Sequence, residues 1–337
     1  MRVLIVKTSS MGDVIHTLPA LTDAKRAIPD IVFDWVVEEG FQEIPSWHPA
    51  VERVIPIALR SWRKQLWRTW KEKHVKHFKE HLHQHHYDLV IDAQGLLKSA
   101  WVTSQVKATI AGYDKTSVRE KLASRFYNKR YSVDRKMHAV ERVRQLFAKA
   151  LHYEEPETVG DYGLKREIFI RAGKEKPYIV FLHGTTRHDK HYPEPYWREL
   201  AELLVDAGYQ VRLPWGTSQD QERAERLAEG NSDVHVLPKL NLKSVAGELV
   251  NAKAVVAVDT GLGHMSAALG VPTVSLYGAT KPSLIGAYGV NQKHLTASEC
   301  ESVDEADIDP VVFLPLKPQL VFAALQTLLN TKQVVEI

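Results

Sequence analysis

Cysteine occurs once in this 337-residue chain, as Cys300, with no Cys or His at metal-ligand spacing beside it. An internal disulfide is therefore excluded, and the pattern fits a reducing compartment. Long apolar runs are also lacking. The first, Val3 to Val6, stops at Lys7 and is too brief for a signal-peptide core or a membrane-spanning helix, so a cytoplasmic location is the expectation. Net charge is nearly absent as well: 44 Lys and Arg against 41 Asp and Glu leave +3, which argues against general nucleic-acid binding. No short-period repeat or low-complexity tract interrupts the chain.

What is present is ordinary soluble composition, 44% hydrophobic and 25% charged, over a length that suits two domains of ~150 residues each. β-branched runs at Val3-Val6, Val32-Val37, Val51-Ile57 and Leu89-Asp92 alternate with helix-compatible sequence such as 14–27 and 95–106, the pattern of βαβ units on a parallel sheet. A further helix over 136–151 completes the first domain. Polar, Gly-bearing sequence at 164–177 predicts a linker. A second series then begins, with strands at 178–182, 209–213, 233–237, 254–258 and 273–277. The expectation is an α/β protein of two Rossmann-like, doubly wound domains, 1–165 and 166–337, around a central cleft. The last helix, about 317–329, stands where it could reach back to the first domain.

Three strand-to-helix junctions in the second half carry chemistry. Val258-Asp-Thr-Gly-Leu-Gly-His264 opens a helix whose first amides are unpaired, an anion site suited to a diphosphate. Gly261 and Gly263 allow close approach, Thr260 offers a hydroxyl, and Asp259 either orients a ligand hydroxyl or caps the helix. The spacing Gly261-Leu-Gly263-His-Met-Ser266 approaches a dinucleotide fingerprint, yet no Asp or Glu occurs from Met265 to Ser298 to hold a ribose, which argues against a dehydrogenase. His183-Gly-Thr185-Thr186-Arg-His-Asp-Lys190 offers hydroxyls and a cation that could neutralise a leaving diphosphate. Leu213-Pro-Trp-Gly216 leads to Asp220 and Glu222, which serve either the helix dipole or ribose hydroxyls. Leu240, after the next strand, could pack against a base.

The first half opens with Lys7-Thr-Ser-Ser-Met-Gly-Asp13, a strand-turn-helix without the Gly-Lys-Ser/Thr of a phosphate loop. Asp13 either stabilises the helix dipole or acts as a general base in a cleft. Arg60, Arg63, Lys64, Lys98, Arg119 and His138 are surface charges singly and a polyanion site as a set. Trp62, Leu66 and Trp70 share a helical face among cations, which suits either a membrane interface or core packing. His74, His77, His81 and His85 form a stripe whose bland reading, a solvated helix, outweighs a metal site.

Together the segments Lys7-Thr-Ser-Ser-Met-Gly-Asp13, Phe33-Asp-Trp-Val-Val-Glu-Glu-Gly40, Ile91-Asp-Ala-Gln-Gly95, His138-Ala-Val-Glu-Arg142, Thr185-Thr-Arg-His-Asp-Lys190, Leu213-Pro-Trp-Gly216 and Val258-Asp-Thr-Gly261 resemble the bacterial lipopolysaccharide heptosyltransferases, glycosyltransferase family 9. The resemblance covers nearly the whole chain and weakens after about residue 291. It implies GT-B architecture and inverting transfer of heptose from ADP-L-glycero-β-D-manno-heptose to the inner Kdo of Kdo-disaccharide lipid A. It also implies association with the cytoplasmic face of the inner membrane. Asp13 would be the base. Donor positions fall on Thr185, Thr186, Lys190, Asp259, Thr260, Gly261 and His264, with Asp220 where relatives carry Glu and Leu240 where they carry Met. Acceptor positions fall on Ser10, Arg60, Arg63, Lys64, Lys98, Arg119 and His138. Neither loop set contains Asp-x-Asp, and Lys190 supplies positive charge, so transfer without metal or cofactor is expected. The oligomeric state is not fixed by sequence, a monomer being the working expectation. Competing readings are the sister branch that acts on the heptosylated acceptor, a sugar-nucleotide epimerase and a non-catalytic lipopolysaccharide-binding protein.

Overall fold

Val3 to Val6 are wholly buried, so the opening strand is covered on both faces, as a strand inside a parallel α/β sheet must be. The computed structural model describes residues 1–59, 74–173, 175–278, 280–300 and 308–333. Arg60, Arg63, Lys64 and the Trp62-Leu66-Trp70 face lie outside the described residues.

Two compact units divide the chain at 165/166. The first contains β1 (Arg2–Val6), α1 (Met11–Ile15), α2 (Leu18–Ala27), β2 (Val32–Glu38), α3 (Glu43–Ser46), β3 (Val51–Ile57), α4 (His74–Leu82), β4 (Leu89–Asp92), α5 (Leu97–Thr103), β5 (Ile110–Tyr113), β6 (Lys129–Tyr131) and α6 (Ala139–Leu151). The second contains β7 (Tyr178–Leu182), α7 (Glu194–Asp206), β8 (Gln210–Leu213), α8 (Ser218–Ala228), β9 (Val234–Val236), α9 (Leu242–Asn251), β10 (Ala254–Val258), α10 (Gly261–Ala268), β11 (Thr273–Tyr277), α11 (Pro282–Ile285), β12 (Gln292–Thr296) and α12 (Pro318–Gln333). The sheets run β3-β2-β1-β4-β5-β6 and β12-β11-β10-β7-β8-β9, and every pairing is parallel. Both orders are the doubly wound order 3-2-1-4-5-6. Each sheet therefore reverses direction between its first and fourth strands, β1/β4 and β7/β10, the points where such sheets bind ligands.

Local chemistry explains where elements differ from the sequence reading. The helix expected over 14–27 is broken at Thr17, because Pro19 has no amide to extend the preceding turn and instead starts α2. The helix expected from 136 begins only at Ala139, where His138 Nδ1 caps it by accepting the Val140 amide at 3.2 Å. The stretch expected as a linker is partly built into the second unit. There Phe169 is buried, Arg166 donates to the Val250 carbonyl and Arg171 pairs with Glu248 at 2.7 Å. The final helix, α12, buries Val321 and Leu325 in the core of the second unit, beside Leu200 and Leu204 of α7.

Candidate functional site

The loops leaving β1 and β4 are stitched together. Gln94 Oε1 accepts the amides of Thr8 (3.0 Å) and Ser9 (3.2 Å), and Lys7 Nζ donates to the Ala93 carbonyl at 3.0 Å. Beneath them Asp92 is wholly buried and accepts from the Gln94 and Gly95 amides, Ser99 Oγ and Tyr127 OH. Its burial raises the Asp92 carboxyl above the ordinary range.

Asp13 stands on this platform. Its Oδ2 accepts the Ser10 amide at 3.0 Å and the Ser10 hydroxyl at 3.1 Å, a capping contact at the start of α1, where the sequence suggested a helix-dipole partner or a base. Its Oδ1 lies 3.7 Å from Lys7 Nζ, and Arg119 approaches Oδ2 at 3.8 Å. Burial by itself would raise this carboxyl, but the Lys7 ammonium, the Ser10 donors and Arg119 outweigh it and hold Asp13 below the ordinary carboxylate value. Asp13 is 27% exposed at the side chain, whereas Lys7 is 8% exposed, so the carboxylate is reachable and its counter-ion is not.

Other expected acceptor groups arrive on successive strands of the same edge. Lys98, at the start of α5, donates to Ser9 Oγ at 3.1 Å; Arg119 follows β5; His138 follows β6, its ring edge-to-face with His16 at 5.4 Å. Thus Ser10, Asp13, Lys98 and Arg119 are gathered, and His138 packs on His16 at the end of the Asp13 helix. Lys7, Asp92 and Gln94 had no place in the sequence-derived set. Ile91-Asp-Ala-Gln-Gly95 marked the place, but only the pairing of β1 with β4 shows what it holds.

In the second unit the β7/β10 switch point gathers the other set. Thr185 Oγ1 donates to the Asp259 carbonyl at 3.2 Å, and Lys190, in a 3-10 turn, places Nζ 2.5 Å from Asp259 Oδ2. Asp259 is thus an ion-pair partner rather than a cap. Thr260, extended, precedes α10, whose opening amides at Gly261 and Leu262 have no acceptor earlier in the helix. Thr186 is exposed one residue beyond Thr185, and His264 is buried in the first turn of α10.

Asp220 Oδ2 accepts the Thr217 amide (3.0 Å) and hydroxyl (2.8 Å), closing a capping box on α8. Its Oδ1 sits 2.8 Å from where a Cβ on Gly184 would stand, so the loop after β7 passes Asp220 at a distance only glycine permits. Gly184 is a further residue that sequence reasoning passed over. Leu240 is half-buried in the loop after β9, one strand further out, and Glu222 is exposed. Strand order β10-β7-β8-β9 therefore sets the four loops side by side.

His77 and His81 pack ring to ring at 4.2 Å, but among the described residues no three His, Cys, Asp or Glu side chains gather as a metal centre. Among the described residues no helix is long and apolar enough to cross a membrane.

The family model for glycosyltransferase family 9 (heptosyltransferase) matches residues 75–309. Lipopolysaccharide heptosyltransferase 1 of Pseudomonas aeruginosa is 56% identical over 348 residues, covering 98% of this chain and 98% of that protein. The solved structure of E. coli heptosyltransferase WaaC with ADP superposes at a TM-score of 0.90 with 51% identity, covering 97% of this chain and all of that one. WaaC with ADP-2-deoxy-2-fluoro heptose gives 0.86 and 50%, over 97% of this chain and 99% of that one. The two doubly wound sheets are those of a GT-B transferase, and with these similarities over nearly its whole length the chain belongs to glycosyltransferase family 9, the heptosyltransferases.

Proposed function

We propose that the chain transfers L-glycero-D-manno-heptose from ADP-L-glycero-β-D-manno-heptose to the inner Kdo of Kdo-disaccharide lipid A, at the cytoplasmic face of the inner membrane. The observation that carries the mechanism is Asp13: a reachable carboxylate, held ionised by buried Lys7, at the switch point of one sheet. In the reaction Asp13 takes the proton of an acceptor hydroxyl as that oxygen attacks the anomeric carbon. The bond from that carbon to the diphosphate breaks, ADP departs with the electron pair, and a single displacement inverts the configuration. A carboxylate of low pKa is a weak base towards a free alcohol. It suffices here because the hydroxyl becomes strongly acidic as the new C–O bond forms, so the proton moves late.

The donor reading rests on the β7/β10 loops. The α10 amides and Thr185 offer hydrogen bonds to the diphosphate, Lys190 supplies the cation that a metal supplies elsewhere, and Asp220 offers a carboxylate to ribose hydroxyls. Asp220 is shorter than Glu, and the close pass at Gly184 compensates by bringing the loop backbone to it. The names and ligands of the relatives support this reading. An assay offering ADP-heptose with Kdo-disaccharide lipid A, and separately with its heptosylated product, tests it. Transfer to the first alone is expected, and transfer to the second alone would assign the chain to the sister activity.

A further inference from the structure

The stretch 60–70 that suggested membrane contact from sequence lies outside the described residues, but a different surface of the first unit has the same chemistry. α5 exposes Leu97 (43%) and Trp101 (38%), one helical turn apart. Packed beside it, the 3-10 turn Ala123–Phe126 exposes Phe126 (47%) and, just before it, Leu122 (53%). Among the described residues of this unit the remaining exposed large apolar side chains are Met1 and Val159, so four of the six sit on these two adjacent elements. The face is rigidly backed. Glu120 Oε2 accepts the Leu97 amide at 2.6 Å, the Glu120 amide donates to the Gly95 carbonyl at 3.0 Å, and buried Tyr127 anchors on Asp92.

The surroundings are strongly cationic. Residues 97–136 contain ten Lys and Arg against three acids, in a chain whose net charge is only +3. All three acids are turned onto backbone: Glu120 as above, Asp114 on the Thr116 and Ser117 amides, and Asp134 on the Lys136 amide. Lys121 and Arg125, both exposed, flank Leu122 and Phe126. α5 delivers Lys98 to Ser9, and the loop that leads into the 3-10 turn delivers Arg119 to Asp13.

We propose that Leu97, Trp101, Leu122 and Phe126, flanked by Lys121 and Arg125, form a docking face for an anionic lipid bilayer. Apolar tips enter the boundary of the acyl chains while the cations meet lipid phosphates, the arrangement of interfacial protein surfaces. Because the docked face continues into the Asp13 edge, a lipid-linked acceptor would keep its acyl chains in the bilayer while its sugar reaches the carboxylate. The inference rests on the proposed reading that the acceptor is lipid-linked.

Co-sedimentation of the full chain with phosphatidylethanolamine/phosphatidylglycerol vesicles, against phosphatidylcholine vesicles, tests it. The chain is expected on the anionic vesicles, less so as salt rises. The double variant Leu122→Ser/Phe126→Ser is expected to bind about tenfold or more weakly, from lost apolar burial. Lys121→Gln/Arg125→Gln should weaken binding and flatten its salt dependence, and Val290→Ser, an exposed site in the second unit, should bind as wild type. Unchanged thermal unfolding and ADP affinity show that the variants fold. Equal vesicle binding by wild type and the Leu122/Phe126 variant would overturn the proposal. So would a wild type that ignores vesicles, including one that dimerises through this face. Transfer to detergent-dispersed acceptor separates the two failures. Transfer without vesicle binding ends the docking proposal and leaves the activity, whereas absence of transfer ends the functional reading itself.

Discussion

Lys190 Nζ lies 2.5 Å from Asp259 Oδ2, joining the turn after β7 to the loop after β10. The cation proposed for the leaving diphosphate is thus held by a carboxylate that is 9% exposed at the side chain. On the proposed donor reading, Asp259 fixes the ammonium beside the start of α10, so that phosphate binding needs little reorganisation. Lys190→Met is expected to lower kcat/KM by about a hundredfold to a thousandfold and to weaken ADP binding in calorimetry. It should also cost about 2 kcal/mol of stability, because a largely buried carboxylate loses its counter-ion. Wild-type ADP affinity in this variant would remove Lys190 from the donor site.

Asp13→Asn isolates the proton transfer. Asn keeps the shape and can still accept from the Ser10 amide, but it cannot take a proton, so kcat should fall by about 10²–10⁴-fold. ADP affinity should not change, since the donor loops belong to the second unit. Near wild-type turnover would show that another group is the base.

Lys7 and Arg119 both face Asp13, at 3.7 and 3.8 Å, yet they differ in burial: Lys7 is 8% exposed and Arg119 61%. Solvent screens the exposed partner more strongly. Lys7→Met should therefore move the acid limb of the kcat/KM profile to higher pH, and Arg119→Ala should move it by less. The sign follows from Asp13's depressed pKa. Removing the cation leaves burial, which favours the protonated form, so the base is lost at a higher pH than in wild type. The remaining charged neighbours of Lys7, Asp92 and Arg142, oppose each other and stay in place in both variants. A drop in rate with an unmoved acid limb would reduce Lys7 to a packing role.

The contrast between β1 and β4 shows how far sequence carries this protein. Val3-Val6 and Leu89-Asp92 are legible as strands because a sheet covered on both faces demands unbroken apolar runs. The loop of Asp13 is legible because it follows such a run directly. That Gln94 holds the Thr8 and Ser9 amides is not legible, since it depends on β4 lying beside β1 across 86 residues of chain. β5, β6 and β12 also passed unread. Ile110–Tyr113 contains Gly112, Lys129–Tyr131 and Gln292–Thr296 are polar edge strands, and none has the apolar run that marks an interior strand. Asp220 could be read as cap or as ligand group from its position at a helix start. The bonds to Thr217 show the cap, and the close pass at Gly184 gives a way to test the ligand role.

That pass yields a prediction of its own. A methyl group at residue 184 would stand 2.8 Å from Asp220 Oδ1, and Asp220 cannot yield easily because Thr217 holds its other oxygen twice. Gly184→Ala is expected to raise the KM for ADP-heptose about tenfold or more with a smaller effect on kcat, as loss of a ground-state contact does. An unchanged KM would separate Asp220 from the ribose.

Two buried histidines, one in each unit, are expected to weaken the fold as pH falls. His48 is 2% exposed, and its Nδ1 accepts the Ala50 amide at 3.1 Å, a bond that protonation there would break; His183 is wholly buried. Burial lowers each to about 4 from the usual 6.5. Between those values an unfolded chain carries a proton on each ring that the folded chain refuses, so the unfolded state gains as pH falls. Each histidine should steepen the loss of unfolding free energy by about 1.4 kcal/mol per pH unit across this window and by little below it. Asp92, raised by burial, takes up its proton earlier when folded and so works in the opposite direction. Urea unfolding at a series of pH values from 7 down to about 4 measures the slope. His48→Gln removes one titrating ring, and its curve should be shallower than wild type throughout the window. A parallel curve would mean that His48 accepts its proton without loss of the fold.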